Sequence, residues 1–196
     1  MMQSALSFIT MPREPVLLGR PGIELLRTLS RVALQDATMR VGAPNFEISS
    51  TPLGAPEALD GWHVSKTHTE GFAAAALSRS PLGIDAEWIH RPRLSAARES
   101  ASKAELEVLG ASGTPDASAL VLLWTGKEAV LKKLGLGLTG LSRCRLVSSS
   151  GAGELVYEFD GDRHDVAAHR VGDYWLSVSC LDPLTPVQVH LEEAPA

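Results

Sequence analysis

Residues 116–134 carry the strongest helical pattern in the chain, and Gly135 follows as a helix stop. Downstream the pattern changes. Residues 143–147, 154–159, 164–170 and 174–180 read as strands, with Gly151, Gly153 and Asp160-Gly161-Asp162 marking the turns between them. Upstream, residues 22–39 set Ile23, Leu26, Leu29, Val32, Ala33 and Leu34 at helical spacing, with Arg27 and Arg31 elsewhere on the surface. Residues 72–77 (FAAAAL), then Arg79-Ser80-Pro81, then 82–87 suggest two strands joined by a tight turn, although an alanine run also suits a helix. The pattern therefore predicts mixed helix and strand.

The links are also legible. Residues 40–61 are rich in Pro, Gly, Ser and Thr and read as loops around a short strand near 46–48, while 63–65 look like a strand end. Residues 65–71 then read as a polar loop. Residues 91–98 are basic and proline-containing, a natural crossover, and Ser102-Lys103-Ala104-Glu105 has capping-box spacing. The tail, 192–196, is expected to fray.

At 196 residues the chain can bury a full core, as one domain or two small halves. A net charge of −5 argues against broad nucleic-acid binding, which needs a basic face. Cys144 and Cys180 are too few and too far apart for a disulfide framework. Residues 1–11 lack the basic-then-apolar order of a signal peptide, and the apolar runs 72–77 and 119–124 fall far short of the ~20 residues a membrane helix needs. A cytosolic protein, off the membrane and off nucleic acid, is expected.

Two segments carry chemistry. In Gly83-Ile84-Asp85-Ala86-Glu87-Trp88, an extended backbone points Asp85 and Glu87 to one face. Neighbouring carboxylates repel, and a hard divalent cation such as Mg²⁺ relieves this. Taken singly, such a pair also suits a solvated strand end. In Trp124-Thr125-Gly126-Lys127-Glu128-Ala129-Val130-Leu131-Lys132, Glu128 and Lys132 stand one helical turn apart. Thr125 to Glu128 also fits a capping box, yet the apolar run 119–124 places the helix start earlier, leaving no end there to cap. Lys127, Lys132 and Lys133 crowd this helix with more cation than Glu128 balances, as an anionic ligand would explain. His68, in Thr67-His68-Thr69, has hydroxyl neighbours that could also reach an anion.

In order, Thr67-His68-Thr69, Leu82-Gly83-Ile84-Asp85-Ala86-Glu87, the Trp124–Lys132 motif and Gly135-Leu136-Gly137-Leu138 resemble the Sfp-type 4′-phosphopantetheinyl transferases. That family runs as a Ser-His segment, (I/V)-G-(I/V)-D-x-E, and W-(S/T/C)-x-K-E-A/S-x-x-K before G-x-G-L. The resemblance spans about residues 54–138. It implies an α+β fold of two pseudo-symmetric halves, here 1–90 and 91–196, with the active site between them and a monomer as the working unit. It further implies transfer of 4′-phosphopantetheine from coenzyme A to a serine of an apo acyl, peptidyl or aryl carrier protein, with Mg²⁺ bound and adenosine 3′,5′-bisphosphate released.

Carried over by residue, Asp85, Glu87 and Glu128 would hold Mg²⁺, and Lys132 would contact the phosphates. His68 and Thr67 would bind a phosphate oxygen, Lys127 would sit close by, and Glu128, directly or through a bound water, would take the serine proton. There are departures from the pattern. Gly54-Ala55-Pro56 stands where Gly-Lys-Pro is usual, so a cation for the coenzyme A 3′-phosphate is missing at Ala55. Arg13 and Arg20 are assigned to replace it, with Arg27 and Arg31 as further candidates. Lys66 occupies a normally apolar place, through a shifted register or by reaching into the site. These departures motivate one alternative, a non-catalytic relative that binds coenzyme A or a carrier protein.

Overall fold

A computed structural model describes residues 4–11, 20–44, 60–90, 95–111, 115–151, 153–182 and 184–190. The described chain is α+β. In chain order it runs β1 (Ser4–Thr10), α1 (Arg20–Val41), β2 (His63–Thr69), β3 (Phe72–Ser78), β4 (Leu82–Trp88), α2 (Ser95–Ser100), α3 (Lys103–Val108) and α4 (Ala117–Leu134). A 3₁₀ turn (Gly137–Gly140) leads to β5 (Arg145–Ser149), β6 (Glu154–Phe159), β7 (Asp162–Val171), β8 (Tyr174–Cys180) and β9 (Pro186–Gln188). One sheet has the order β2-β3-β1-β9 and the other β4-β8-β7-β6-β5. Only the β1–β9 pair is parallel among these ladders.

The apolar residues sort into three clusters that stack the elements as helix, sheet, sheet, helix. Leu29, Ala33, Ala37 and Val41 of α1 pack on Ala5, Ile9, Ala73, Ala75 and Leu77. The opposite face of that sheet, through Leu6, Phe8, Phe72, Ala74 and Ala76, meets Ile84, Ala86, Leu176 and Val178 of the second sheet. Leu123, Val130 and Leu131 of α4 close the far side over Leu146, Leu155, Tyr157 and Val166.

This layering resolves the alanine run. All seven residues of β3 are buried, because alternate side chains serve α1 on one face and the second sheet on the other. Small residues let both neighbours approach, and that packing overrides alanine's weak strand preference. The helices form where the sequence places them. Asp116 caps α4, accepting from the Ala119 N–H, and Gly135 ends it in the left-handed conformation at φ 69°. Ser102 and Glu105 form the reciprocal capping box of α3. The Asp160-Gly161 hairpin turn has φ of 52° and 94°.

Some expectations shift. Residues 65–69 form the end of strand β2, not a loop, because Ser65, Thr67 and Thr69 alternate toward β4. Residues 95–98, expected as plain crossover, belong to α2. Strands β1 and β9 carried no recognised signal. The expected strand near 46–48 and the tail lie outside the described residues.

Candidate active site

Strands β2 and β4 are the facing edges of two different sheets. Side-chain hydroxyls, spaced two apart on β2, join them. Ser65 Oγ accepts from the Ile84 N–H at 3.0 Å, and Thr67 Oγ1 accepts from the Ala86 N–H at 3.2 Å. Thr67 also donates to Asp85 Oδ1 at 3.0 Å, and Thr69 donates to Glu87 Oε2 at 3.0 Å. The pleat that turns alternate residues one way thus fixes both carboxylates from the neighbouring strand.

Helix α4 brings the third and fourth groups. Trp124, Glu128 and Lys132 recur at intervals of four and share one stripe. The stripe meets β4 closely because of Gly83, where a Cβ would stand 2.0 Å from the Ala129 carbonyl oxygen and 2.4 Å from the Lys133 nitrogen. At that range Lys132 Nζ reaches Asp85 Oδ1 at 2.7 Å and the Ile84 carbonyl at 3.1 Å.

Asp85, Glu87, Glu128, Lys132, Thr67 and His68 all line one cleft of about 870 Å³, within the usual size range of ligand sites. Its wall also carries a group of cations. Arg27 and Arg31, one turn apart on α1, line it together with Lys66, as does Lys133. Lys66 is half-buried, and burial first, then repulsion from Arg31, lowers its pKa. A bound anion would offset both costs. The i, i+4 spacing of Arg27 and Arg31 on a predicted helix was the signal that could have selected them. Lys66 itself lines the cleft, as one of its two readings expects.

Lys127 does not join this group, contrary to expectation. One residue from Glu128, it is turned about 100° around the helix and buried at 2% exposure, where it pairs with Glu105 Oε1 at 2.8 Å and the Ser100 carbonyl at 2.6 Å. Burial pushes the Glu105 carboxyl up, but Lys127 and the Ser102 and Leu146 N–H groups outweigh it and hold the carboxyl below its ordinary value. The pair therefore ties α3, α4 and β5 together. Arg13 and Ala55 lie outside the described residues, and of Arg20 only the backbone, at the start of α1, is described. Cys144 is no nucleophile: burial raises its thiol to about 12.

Among the described residues no three His, Cys, Asp or Glu side chains stand together as a ready metal cluster. The local chemistry nevertheless fits a divalent cation. Asp85 Oδ2 is buried without a protein hydrogen-bond partner, a deficit worth roughly 1–3 kcal/mol. Glu87 and Glu128 line the same cleft and supply the oxygen donors that Mg²⁺ prefers. Among the described residues no helix is long and apolar enough to cross a membrane.

Fold and cleft together define an α+β protein whose two sheets meet at a cleft lined by both carboxylates and cations. Residues 81–179 match the 4′-phosphopantetheinyl transferase superfamily. That match covers half of the chain, and the chain belongs to this superfamily, whose activity is phosphopantetheine transfer. A search of curated proteins finds no match.

Proposed function

We propose that this chain transfers 4′-phosphopantetheine from coenzyme A to a serine hydroxyl of an apo acyl, peptidyl or aryl carrier protein, releasing adenosine 3′,5′-bisphosphate. The observation that carries the reading is the meeting of Asp85, Glu87, Glu128, Lys132 and His68, from three separate elements, in one cleft with Arg27, Arg31 and Lys66. In this reading residues 1–90 and 91–196 are related halves of a monomer. Strand β4 reaches from the first half into the second sheet, and β9 reaches back. One long helix on the outer face of each sheet supports that relation.

Asp85, Glu87 and Glu128 would hold Mg²⁺, which offsets charge on the diphosphate and so eases departure of the leaving group. Lys132 and His68 grip the diphosphate oxygens, and the Arg27, Arg31 and Lys66 cluster takes the 3′-phosphate in place of the cation missing at Ala55. The serine oxygen attacks the phosphorus that bears pantetheine. The bond from that phosphorus to the bridging oxygen breaks, the electron pair leaves with the adenosine bisphosphate, and Glu128 takes the serine proton. Thr67 and Thr69 keep Asp85 and Glu87 oriented throughout.

Incubation with coenzyme A, Mg²⁺ and several apo carrier proteins, read by intact mass, tests the reading. A phosphopantetheine mass gain that EDTA abolishes is expected. Asp85→Ala and Glu128→Ala should each lose the gain while circular dichroism shows a wild-type fold. Full transfer by either variant refutes the site. Binding of coenzyme A with no transfer to any carrier would instead favour a non-catalytic relative.

A further inference from the structure

Lys132 and Asp85 are assigned to the donor's phosphates and to the cation, yet their shortest contact is with each other, at 2.7 Å. The side chain of Asp85 is 9% exposed and that of Lys132 is 31% exposed. A carboxylate this deeply buried needs a positive partner, and Lys132 supplies it while also donating to the Ile84 carbonyl. The other oxygen of Asp85, Oδ2, has no protein partner. One carboxylate therefore has one oxygen held by an ammonium and another facing no donor.

From this geometry we propose that Lys132 is a displaceable counter-ion for Asp85, so that divalent cation and donor diphosphate enter the cleft as a coupled pair. The proposal rests on the assignment of this cleft to a cation and a diphosphate. A divalent ion at Asp85 and an ammonium 2.7 Å from the same carboxylate repel each other. Cation binding thus expels Lys132, which remains on α4 with its ammonium free to take an anionic oxygen. An incoming diphosphate works in reverse, drawing Lys132 away and freeing Oδ1 for the cation. Thr67 donates to Oδ1 alongside Lys132. Linkage makes the effect reciprocal: whatever either ligand gains from the other, it returns.

The discriminating measurement is Mn²⁺ affinity without coenzyme A, followed by electron paramagnetic resonance of the free ion. Removing the competing ammonium in Lys132→Met should tighten Mn²⁺ binding about tenfold, within the usual range of site-to-site coupling. Equal or weaker binding overturns the proposal. A second measurement uses the wild-type chain and needs no folded variant. Reductive methylation with peptide mass spectrometry should show Lys132 labelling rise relative to Lys133 when Mg²⁺ is added alone, then fall when coenzyme A follows. Lys132 labelling indifferent to Mg²⁺ also overturns it. The two readings fail separately. Transfer by the wild-type chain with unchanged Mn²⁺ affinity in Lys132→Met sinks only the counter-ion, whereas tightened Mn²⁺ binding in Lys132→Met with no transfer by the wild-type chain sinks only the proposed reaction.

Discussion

Gly83→Ala tests the construction of the site without touching any of its polar groups. The added methyl carbon would lie 2.0 Å from the Ala129 carbonyl oxygen, 2.4 Å from the Lys133 nitrogen and 3.0 Å from Lys132 Cβ. Two of these three neighbours are backbone, so no rotamer change relieves the clash. Real contacts of this kind stay beyond 3.0 Å, and α4 must therefore draw back from β4 by about an ångström. Overpacking on this scale costs roughly 2 kcal/mol, which for a chain of this size lowers the melting temperature by roughly 4–8 °C. The larger effect is on chemistry. Lys132 and Glu128 ride on the displaced helix, and a 1 Å misplacement of positioned groups costs on the order of 100-fold in rate. Calorimetry and initial rates of carrier-protein modification measure the two effects on one preparation. If Gly83→Ala kept wild-type melting and wild-type turnover, close approach of β4 and α4 could not be what builds the site.

The buried Lys127–Glu105 pair gives a pH-dependent prediction. Glu105 titrates below its ordinary value in the folded chain, so its stabilisation is full above about pH 4.5, the ordinary value, and fades as pH falls through the lower folded value. Glu105→Gln should cost about 3–5 kcal/mol near neutral pH by stranding the Lys127 ammonium. It should also flatten the acid limb of urea-denaturation stability, and an acid limb as steep as wild type would refute the assignment. On the same cleft wall, Arg27→Ala or Arg31→Ala would remove the charged hydrogen bond proposed to the 3′-phosphate, worth about 1.5–3 kcal/mol. KM for coenzyme A should rise roughly tenfold or more, with kcat little changed. With 3′-dephospho-coenzyme A as donor the variants and wild type should converge; a persisting difference would place these arginines elsewhere than on the 3′-phosphate.

Legibility in the sequence followed the range of the physics. Helix α4 was readable because its period, its early start and its glycine stop are all local. The capping box of α3 was readable for the same reason. Asp85, Glu87, Glu128 and Lys132 were legible as chemistry because their residue types and order are distinctive. Lys127 went astray because adjacency in sequence says nothing about which face of a helix is buried, and its partner Glu105 belongs to another helix. His68 seemed to lie in a loop because its strand is polar. Nothing local shows that Ser65, Thr67 and Thr69 spend their hydroxyls on a neighbouring sheet. Arg27 and Arg31 carried a usable signal in their spacing, but their cleft exists only once α1, β2 and α4 are assembled.

The hydroxyl seam has a consequence for any attempt to divide this chain. The segment matching the superfamily, residues 81–179, begins just before β4 and keeps Asp85, Glu87, Glu128 and Lys132. It omits Ser65, Thr67 and Thr69, and with them the groups that occupy the outward amides of Ile84 and Ala86. Isolated, that segment would present an unguarded strand edge beside the bared apolar face of Ile84, Ala86, Leu176 and Val178, the combination that invites sheet-to-sheet aggregation. The amino-terminal portion, where recognisable motifs are sparse, thus covers the edge and the apolar face that the motif-bearing segment would otherwise bare.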